Sequence, residues 1–284
     1  GENNTFLGAL AGRFNSTGNR NTIVGSQAAD NIVTTGSDNT ALGFGSAHNI
    51  GSGSNNVYLG ANAGFINQGS EGNVAIGSSA LYSGTGGGNI AIGKIAMQLA
   101  TSASSNVTIG YAAAGGAQMT GAGNVIMGDA AGYNITSGNN NILIGRNAGR
   151  TGSNNPGQLG SVTTVSNEIQ MGNTSHQGAF IQIGWTTVSD ARDKGQIKDL
   201  PYGLDFINQL QPKSFEFKPD RNSEETDGIE RYGFLAQDVL EIEGESPVVV
   251  NKNDENKLKM TNDYLVPILV NAIQELKAEI ELLK

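Results

Sequence analysis

Apolar side chains in the first half of this chain recur about every seventeen residues, not at a helical period. The motif Asn-x-x-aliphatic-Gly occurs nine times, with 16 to 18 residues between successive glycines. An altered tenth copy, Asn-Glu-Ile-Gln-Met-Gly, ends at Gly172. Self-similarity at a fixed short period predicts an architecture in which each unit stacks on its neighbours. The nine motif glycines are Gly8, Gly25, Gly43, Gly60, Gly77, Gly93, Gly110, Gly128 and Gly145.

Each repeat contains columns of similar residues. The residues three places and one place before the glycine, such as Val74 and Ile76, are mostly aliphatic or β-branched, which favours extended backbone. These two columns lie two residues apart and therefore share one face of a strand. The variable residue between them, such as Ala75 or Thr108, is predicted to face solvent or a neighbouring chain. Three places after the glycine stands alanine or serine, which indicates close packing.

The repeats therefore predict a mainly β region of thin stacked turns, with glycine and asparagine at corners of positive φ. The side chains available for its interior are few and small, so three parallel chains sharing an axis would bury more apolar area per residue. We expect a trimeric β-roll or β-solenoid over residues 1–155 and a β transition segment over residues 156–188.

The repeats resemble the head repeats of trimeric autotransporter adhesins, in which Asn-x-x-Ala-Ile-Gly is followed by alanine or serine. The segments Asn73–Ala80 and Asn89–Gly93 come closest to that pattern. The resemblance implies a trimeric β-roll. The units here, at about 17 residues, are longer than is usual in those heads.

Two interpretations of the repeats stay open. One is a structural spacer without a ligand. The other is a scaffold whose variable loops around Phe65–Ile66, Tyr82 and Tyr133 contact a glycan or a cell surface. A calcium-binding solenoid is disfavoured because residues 1–165 contain only five acids. A flat threonine array for binding ice is disfavoured because the middle column is mixed.

Composition changes sharply near residue 188. Of the 41 glycines, 36 precede Ser189; residues 1–188 hold six acids and five bases, and residues 189–284 hold 20 acids and 12 bases. This shift predicts a domain boundary at 185–190. The net charge of -9 argues against nucleic acid and anionic membranes as partners. No stretch approaches the length of a membrane-spanning helix, so no membrane insertion is expected.

The chain offers little material for a metal or cofactor site. It contains no cysteine, which excludes disulfides and thiolate chemistry. Its two histidines, His48 and His176, are far apart in sequence and lack an obvious ligand cluster. We therefore expect no metal and no cofactor, and we expect both histidines to be surface polar residues.

The second half is predicted to be a small α+β domain, residues 189–284, that ends in a long helix. Thr261 or Asn262 is a plausible N-cap for that helix. The expected elements are a helix at Leu204–Leu210, a strand at Ser214–Phe217, a strand leading into a helix at Gly233–Leu240, a strand at Pro247–Asn251 and the final helix at 262–284.

The final helix contains an apolar seam with spacings of 3, 4, 3, 4 and 3 residues. This spacing is typical of a coiled coil, and mixed isoleucine and leucine permit a trimer. The alternative is an amphipathic helix packed on its own domain. The seam residues are Val266, Leu269, Ile273, Leu276, Ile280 and Leu283.

Three segments of the second half, Ser189–Lys194, Gly233–Val239 and Asp263–Ile273, resemble the hallmark segments of the endosialidase-type intramolecular chaperone domain. This family, also classed as the S74 peptidases, ends phage tail spikes, phage tail fibres and some bacterial trimeric adhesins. The resemblance covers residues 189–284. It implies that the domain trimerises and templates the folding of the preceding β-structured fibre.

Many members of that family cleave themselves at a Ser-Asp-x-Arg-x-Lys motif. The resemblance implies that Ser189 is the nucleophile, that Lys194 is the general base and that the Val188–Ser189 bond is cut. A serine hydroxyl needs such a base, and lysine serves when burial lowers its pKa. Asp193 adjoins the lysine and could hold it charged, so self-cleavage stays open.

The other two motif residues, Asp190 and Arg192, are expected to brace the loop without reacting. Together these features predict a homotrimeric extracellular fibre or adhesin tip on a phage tail or a bacterial surface, with a glycan or receptor as its target. The alternative is a glycan-degrading tail spike, which needs two paired carboxylates. The repeats offer for that role only acids with no evident pairing, namely Asp30, Asp38, Glu71 and Asp129.

Overall fold

The computed structural model describes residues 1–31, 34–150, 163–173, 187–218, 222–253 and 258–284. It divides into two compact units, Gly1–Gly178 and Ala179–Lys284. Most of the predicted transition segment 156–188 lies outside the described residues. The strands of the first unit are β1 (Thr5–Leu7), β2 (Thr22–Val24), β3 (Thr40–Leu42), β4 (Val57–Leu59), β5 (Val74–Ile76), β6 (Ser83–Gly84), β7 (Ile90–Ile92), β8 (Leu99–Ala100), β9 (Val107–Ile109), β10 (Val125–Met127), β11 (Ile142–Ile144) and β12 (Ile169–Met171).

The first unit is a β-solenoid of about eight turns over residues 5–144, which confirms the predicted fold class. Ten of its strands form one parallel sheet in the order β1-β2-β3-β4-β5-β7-β9-β10-β11-β12, so the altered tenth copy also contributes a strand. Each residue pairs with its counterpart one repeat later, as Val57 does with Val74. A second, short parallel pairing joins β6 and β8.

The motif asparagines form a buried ladder along the solenoid. The backbone N–H of Asn56 donates to Asn39 Oδ1 at 3.0 Å, and Asn56 Oδ1 accepts the N–H of Asn73 at 2.9 Å. Asn56 Nδ2 also donates to the carbonyl of Ser70 at 2.9 Å. The main-chain-to-side-chain bond recurs at 2.8–3.1 Å between all neighbouring members of the column, which are Asn4, Asn21, Asn39, Asn56, Asn73, Asn89, Asn106, Asn124 and Asn141.

The motif glycine is required both by backbone conformation and by contact with the next turn. All nine have φ between 112° and 140°, a region that residues with a Cβ rarely adopt. A Cβ placed on Gly77 would also lie 2.7 Å from the carbonyl carbon and oxygen of Gly93. Successive glycines therefore stack backbone on backbone.

The corners are less restricted to glycine and asparagine than the sequence analysis expected. The residue before the ladder asparagine has positive φ, as at Asn55 and Gly72. The corner after the motif glycine contains two further such positions, and these include Leu81, Ile95 and Met97. A bulky residue in this conformation costs roughly 1–3 kcal/mol, so each corner depends on the stacked neighbours that hold it.

The prediction for the two faces of each strand was wrong. The middle column, which was expected to point outwards, lines the interior: Ala75, Thr108 and Ile126 are fully buried. The flanking columns point outwards, so that Ile76 is 36% exposed and Leu42 is 51% exposed. Alternation of residues assigns them to two faces but does not say which face lies inside. The expected close packing of the small column is observed, since all members after Ala11 are buried.

The second unit is the predicted α+β arrangement. The helix predicted at Leu204–Leu210 and the strand-to-helix segment at Gly233–Leu240 are present, whereas the two other predicted strands are shifted or shorter. Its elements are α1 (Leu204–Gln209), β13 (Lys213–Phe215), β14 (Arg231–Gly233), α2 (Ala236–Glu243), β15 (Val250–Asn251), β16 (Lys259–Met260) and α3 (Leu265–Leu282), with 3-10 turns at Ala191–Asp193 and Asn262–Tyr264. β13 pairs antiparallel with β14, and β15 with β16.

The core of the second unit lies between the helices and the β15–β16 pair. Its buried members are Phe206, Val239, Val249, Val250, Leu265 and Ile268. The last helix is preceded by the Asn262–Tyr264 turn, and Thr261, at the N-cap of that turn, makes no side-chain capping hydrogen bond. Thr261 therefore occupies an N-cap position, but its side chain does not cap the turn.

The asparagine ladder generates a stability prediction. Replacing Asn56 by alanine leaves the buried N–H of Asn73 and the carbonyl of Ser70 without these partners, and each unsatisfied group costs about 1–3 kcal/mol. We expect Asn56→Ala to lower the free energy of unfolding by about 2–5 kcal/mol, measured by urea denaturation.

The matched control is the adjacent, exposed Asn55, whose φ of 60° suits glycine. Asn55→Gly is expected to unfold close to the wild-type midpoint. Equal stability of the wild type and Asn56→Ala would contradict a supporting role for the ladder.

Candidate functional site

The Ser-Asp-x-Arg-x-Lys motif forms a compact turn. Residues Ala191–Asp193 make one turn of 3-10 helix, and Asp190 Oδ1 caps it by accepting the N–H of Arg192 at 2.9 Å. The N–H of Lys194 donates to the carbonyl of Ala191 at 3.2 Å and closes the turn. An aspartate at this position is a favoured N-cap because its short side chain reaches the free N–H groups.

Arg192 and Asp190 clamp the same turn from outside. The guanidinium donates through Nε and Nη2 to both carboxylate oxygens, at 2.6–3.1 Å. The side-chain hydrogen bonds from Arg192, followed by its backbone N–H, lower the pKa of Asp190. The same pairing raises the pKa of Arg192. These contacts are the geometry that a bracing role for both residues requires, and that role stays a prediction.

The turn brings the proposed nucleophile and base into contact. Lys194 Nζ donates to Ser189 Oγ at 2.7 Å, although the two residues are five positions apart. Val188, which precedes the serine, is 79% exposed. In the part of the chain that the structure describes, Lys194 makes no ion pair, so Asp193 does not occupy its ammonium group.

This arrangement supplies the distance but not the environment for general base catalysis. A lysine base must be neutral, and removal from water favours the neutral amine. Ser189 and Lys194 are both exposed to water in the single chain. The single chain therefore does not provide the removal from water that a lysine base requires.

The predicted seam of the final helix is uncovered in the single chain. The helix α3 instead packs through another face, which buries Leu265, Ile268 and Ala272. All six predicted seam residues remain 43–87% exposed: Val266, Leu269, Ile273, Leu276, Ile280 and Leu283. The alternative of a helix packed on its own domain thus accounts for one apolar face and leaves the seam without a partner inside the chain.

Two polar side chains of α3, which the sequence analysis did not single out, attach it to α1. Glu275 Oε2 accepts the N–H of Leu204 at 2.6 Å and caps the shorter helix. Asn271 Nδ2 donates to the carbonyl of Tyr202 at 2.9 Å. These contacts join residues about 70 positions apart, so local sequence patterns do not reveal them.

The carboxylate of Glu243 holds the segment after α2 in place through hydrogen bonds. Glu243 is buried, and its two oxygens accept the N–H groups of Val248, Val249 and Val250 at 2.8–2.9 Å. The carboxylate thereby satisfies three backbone donors at once. It positions β15 against the core rather than forming a reactive site.

The aromatic loop residues considered for ligand contact pack against other side chains of the solenoid. Phe65 stacks between His48 and Tyr82, with ring centroids 4.5 and 5.0 Å apart. Tyr133 lies under the guanidinium of Arg150, 4.7 Å from its ring centroid. Neighbouring side chains therefore occupy both faces of the Phe65 ring and one face each of Tyr82 and Tyr133. His48, expected to be a surface polar residue, belongs to the stack.

The acids considered for glycan cleavage are engaged in part by arginine. Asp38 binds Arg20 through two hydrogen bonds of 2.6 and 2.7 Å, and this pairing lowers the pKa of Asp38. Asp30 lies 2.8 Å from Arg13 Nε. A general acid needs a raised pKa, so the environment of Asp38 disfavours that role.

Within the described residues, no group of three or more histidine, cysteine or acidic side chains is arranged to hold a metal ion. None of the helices in the same ranges is both long and apolar enough to cross a membrane.

A parallel β-solenoid, followed by an α+β unit with a serine–lysine contact and an unpartnered helix seam, defines a repeat protein with a specialised C-terminal domain. Residues 189–250 match the Peptidase_S74 family model, described as the chaperone of endosialidase. This segment is therefore similar to the chaperone-of-endosialidase family. The match includes the first two resembling segments, and the third, at Asp263–Ile273, lies beyond it. No curated protein and no solved structure matches the chain.

The clamp predicts a shifted titration. The carboxyl of Asp190 should titrate below the ordinary aspartate value of about 3.9, and Arg192→Gln should raise its pKa towards that value. Because the pKa of Asp190 is lower in the folded state than in the unfolded chain, the clamp stabilises the fold at pH values above the ordinary aspartate pKa. That stabilisation is lost as the pH falls through the folded-state pKa. Carboxyl-carbon NMR shifts measured against pH test this.

Arg231→Gln is the matched control, because Arg231 pairs with Asp227 in the same unit and lowers the pKa of that carboxyl. It should move the titration of Asp227 and leave that of Asp190 unchanged. An Asp190 titration unaffected by Arg192→Gln would show that the two side chains are not paired in solution.

Proposed function

We propose that this chain is part of a homotrimeric extracellular fibre or adhesin, and that its C-terminal domain drives trimerisation and folding of the solenoid. The observation that carries the proposal is the chaperone-of-endosialidase match at residues 189–250. Domains of this family act in trimeric fibres of the phage tail fibre and tail spike type. The proposed location is a phage tail or a bacterial surface.

The helix seam supports the oligomeric part of the proposal. Six aliphatic side chains at heptad spacing are exposed in one copy, and apolar residues at such positions associate as knobs into holes. The seam spans less than three heptads and so cannot specify an oligomer alone. The rest of the domain is proposed to add the remaining contacts.

Self-cleavage at Val188–Ser189 is the second part of the proposal. A neutral Lys194 amine takes the hydroxyl proton of Ser189 while Oγ attacks the carbonyl carbon of Val188. The C–N bond then breaks, the lysine returns its proton to the released amine, and Val188 is left as an ester on Oγ. Water hydrolyses the ester to a Val188 carboxylate. Burial of the lysine by assembly would make cleavage follow folding.

A cell-surface glycan or receptor is the proposed target of the fibre. Both ring faces of Phe65 are occupied, whereas Phe44 and Tyr111 are each more than half exposed on the solenoid. Exposed aromatic side chains on a rigid repeat scaffold are suitable for such a contact.

Cleavage is tested by purifying the wild type beside Ser189→Ala, Lys194→Met and a control, Ser246→Ala. The wild type and the control should yield a C-terminal piece of 96 residues, about a third of the 284-residue chain, whose first residue is Ser189. Ser189→Ala and Lys194→Met should stay whole, because one lacks the nucleophile and the other the base. Denaturing gels and intact mass give the result.

Cleavage that persists in Ser189→Ala would exclude the proposed nucleophile. A wild type that stays whole as a trimer would exclude self-cleavage and leave the chaperone role standing. Brief treatment with hydroxylamine adds a check on the route, since it should cleave an accumulated ester and leave the amide intact.

Trimerisation is tested by light scattering coupled to size exclusion. We expect three copies for the wild type and dissociation for Leu269→Lys/Leu276→Lys, because charge at two seam positions cannot be buried without a partner. The control Gln274→Lys/Ala278→Lys adds the same charge outside the seam and should remain trimeric. A folded wild-type monomer would overturn the proposal.

A further inference from the structure

The two outward columns of the solenoid sheet form one continuous apolar surface, here called the outer face. It contains no charged side chain over ten strands, and only three of its residues, all threonines, are polar. Its members are Thr5, Leu7, Thr22, Val24, Thr40, Leu42, Val57, Leu59, Val74, Ile76, Ile90, Ile92, Val107, Ile109, Val125, Met127, Ile142, Ile144, Ile169 and Met171.

In β3, β5, β7 and β9 the sheet places larger aliphatic side chains outside than inside, because the buried middle residue is alanine or threonine. In β5 the buried residue is Ala75, and the outward residues are Val74 and Ile76. In β7 the buried residue is Ala91, and the outward residues are Ile90 and Ile92. Full burial of an aliphatic side chain stabilises a fold by about 1.5–3 kcal/mol. A lone solenoid therefore lacks the stabilisation that burial of its outward aliphatic side chains would add.

The outer face is also long enough to be an interface. Ten parallel strands at a spacing of about 4.8 Å extend for roughly 43 Å, and three residues across each strand add about 10 Å. The projected area of about 400 Å² lies within the range of the largest apolar patches of soluble monomers, which are commonly functional.

We infer that the outer face is the contact between solenoids. In the assembly, the outer face of one copy packs against the outer faces of two further copies of the same chain. The inference rests on the proposed homotrimer and deepens it by naming the surface. In a three-fold assembly each copy meets two neighbours, so the column of Val74 in one copy faces the column of Ile76 in the next.

Identical copies are the occupant that this surface fits. Its corrugation repeats at one strand spacing for ten strands, and another copy in the same register has that period along its whole length. The absence of charge on the face removes the usual basis for recognising a foreign polar partner. Parallel chains joined at their C-terminal helices would also bring like turns to the same height.

The natural absence of cysteine permits a clean crosslinking test. The variant Val74→Cys/Ile76→Cys, oxidised with copper phenanthroline, should run as a covalent trimer on a non-reducing denaturing gel. Each single variant should stay monomeric on that gel, because its thiol faces the other column. The control Gln68→Cys/Ser102→Cys places two exposed thiols off the outer face and should give no trimer.

Val57→Cys/Leu59→Cys one turn away repeats the test if the first pair disturbs folding, which circular dichroism would reveal. Light scattering of the unoxidised variants separates the two levels of the proposal. Trimers whose outer-face thiols do not crosslink would overturn this inference and leave the homotrimer intact. A monomeric wild type would overturn the homotrimer itself. Crosslinked dimers from either single variant would refute the column pairing.

Discussion

The solenoid depends on the requirement that every turn be one strand spacing from the next. The ladder asparagine meets this requirement with its side-chain oxygen, which accepts a backbone N–H from the following turn, and with its amide nitrogen, which reaches a carbonyl there. The stacked glycines meet it by removing every atom that would hold the turns apart. The strands between these two positions are only three residues long, so their pairing follows from the turns rather than enforcing them.

A thin interior has consequences for the outside of the molecule. Small residues such as Ala75 fill part of the space within each turn, beside larger buried side chains such as Tyr58 and Ile126, and the outward columns leave further aliphatic residues on the surface. The C-terminal unit shows the same division, because α3 buries one apolar stripe and leaves a second at heptad spacing. Each unit, taken by itself, therefore has apolar surface that its own residues do not cover. A common explanation for both surfaces is association of copies, which connects the proposed chaperone to the fibre it would fold.

The sequence predicted the periodic features well and the non-local ones poorly. The repeat interval located ten strands, and the motif at Ser189–Lys194 anticipated a contact that the turn does form. The inside and outside of the strands were exchanged, because a two-residue alternation is unchanged when the sheet is turned over. The role of the ladder asparagine was missed because it depends on a partner one turn away. The cap supplied by Glu275 to α1 was missed because it spans 71 residues.

The intervals of 16, 17 and 18 residues between motif glycines show where the solenoid tolerates change. The ladder asparagine, the strand and the small residue keep their spacing around each glycine, so the extra residue is accommodated in the loop that follows the small residue. Duplication or loss of one complete repeat would then change the length of the object by one strand spacing, about 4.8 Å, without redesigning its interior. The length of the solenoid could in this way be adjusted in small, equal steps by recombination between neighbouring copies of the repeat. A single-residue insertion within a strand would instead put the residues of that strand out of register with their counterparts in the neighbouring repeats.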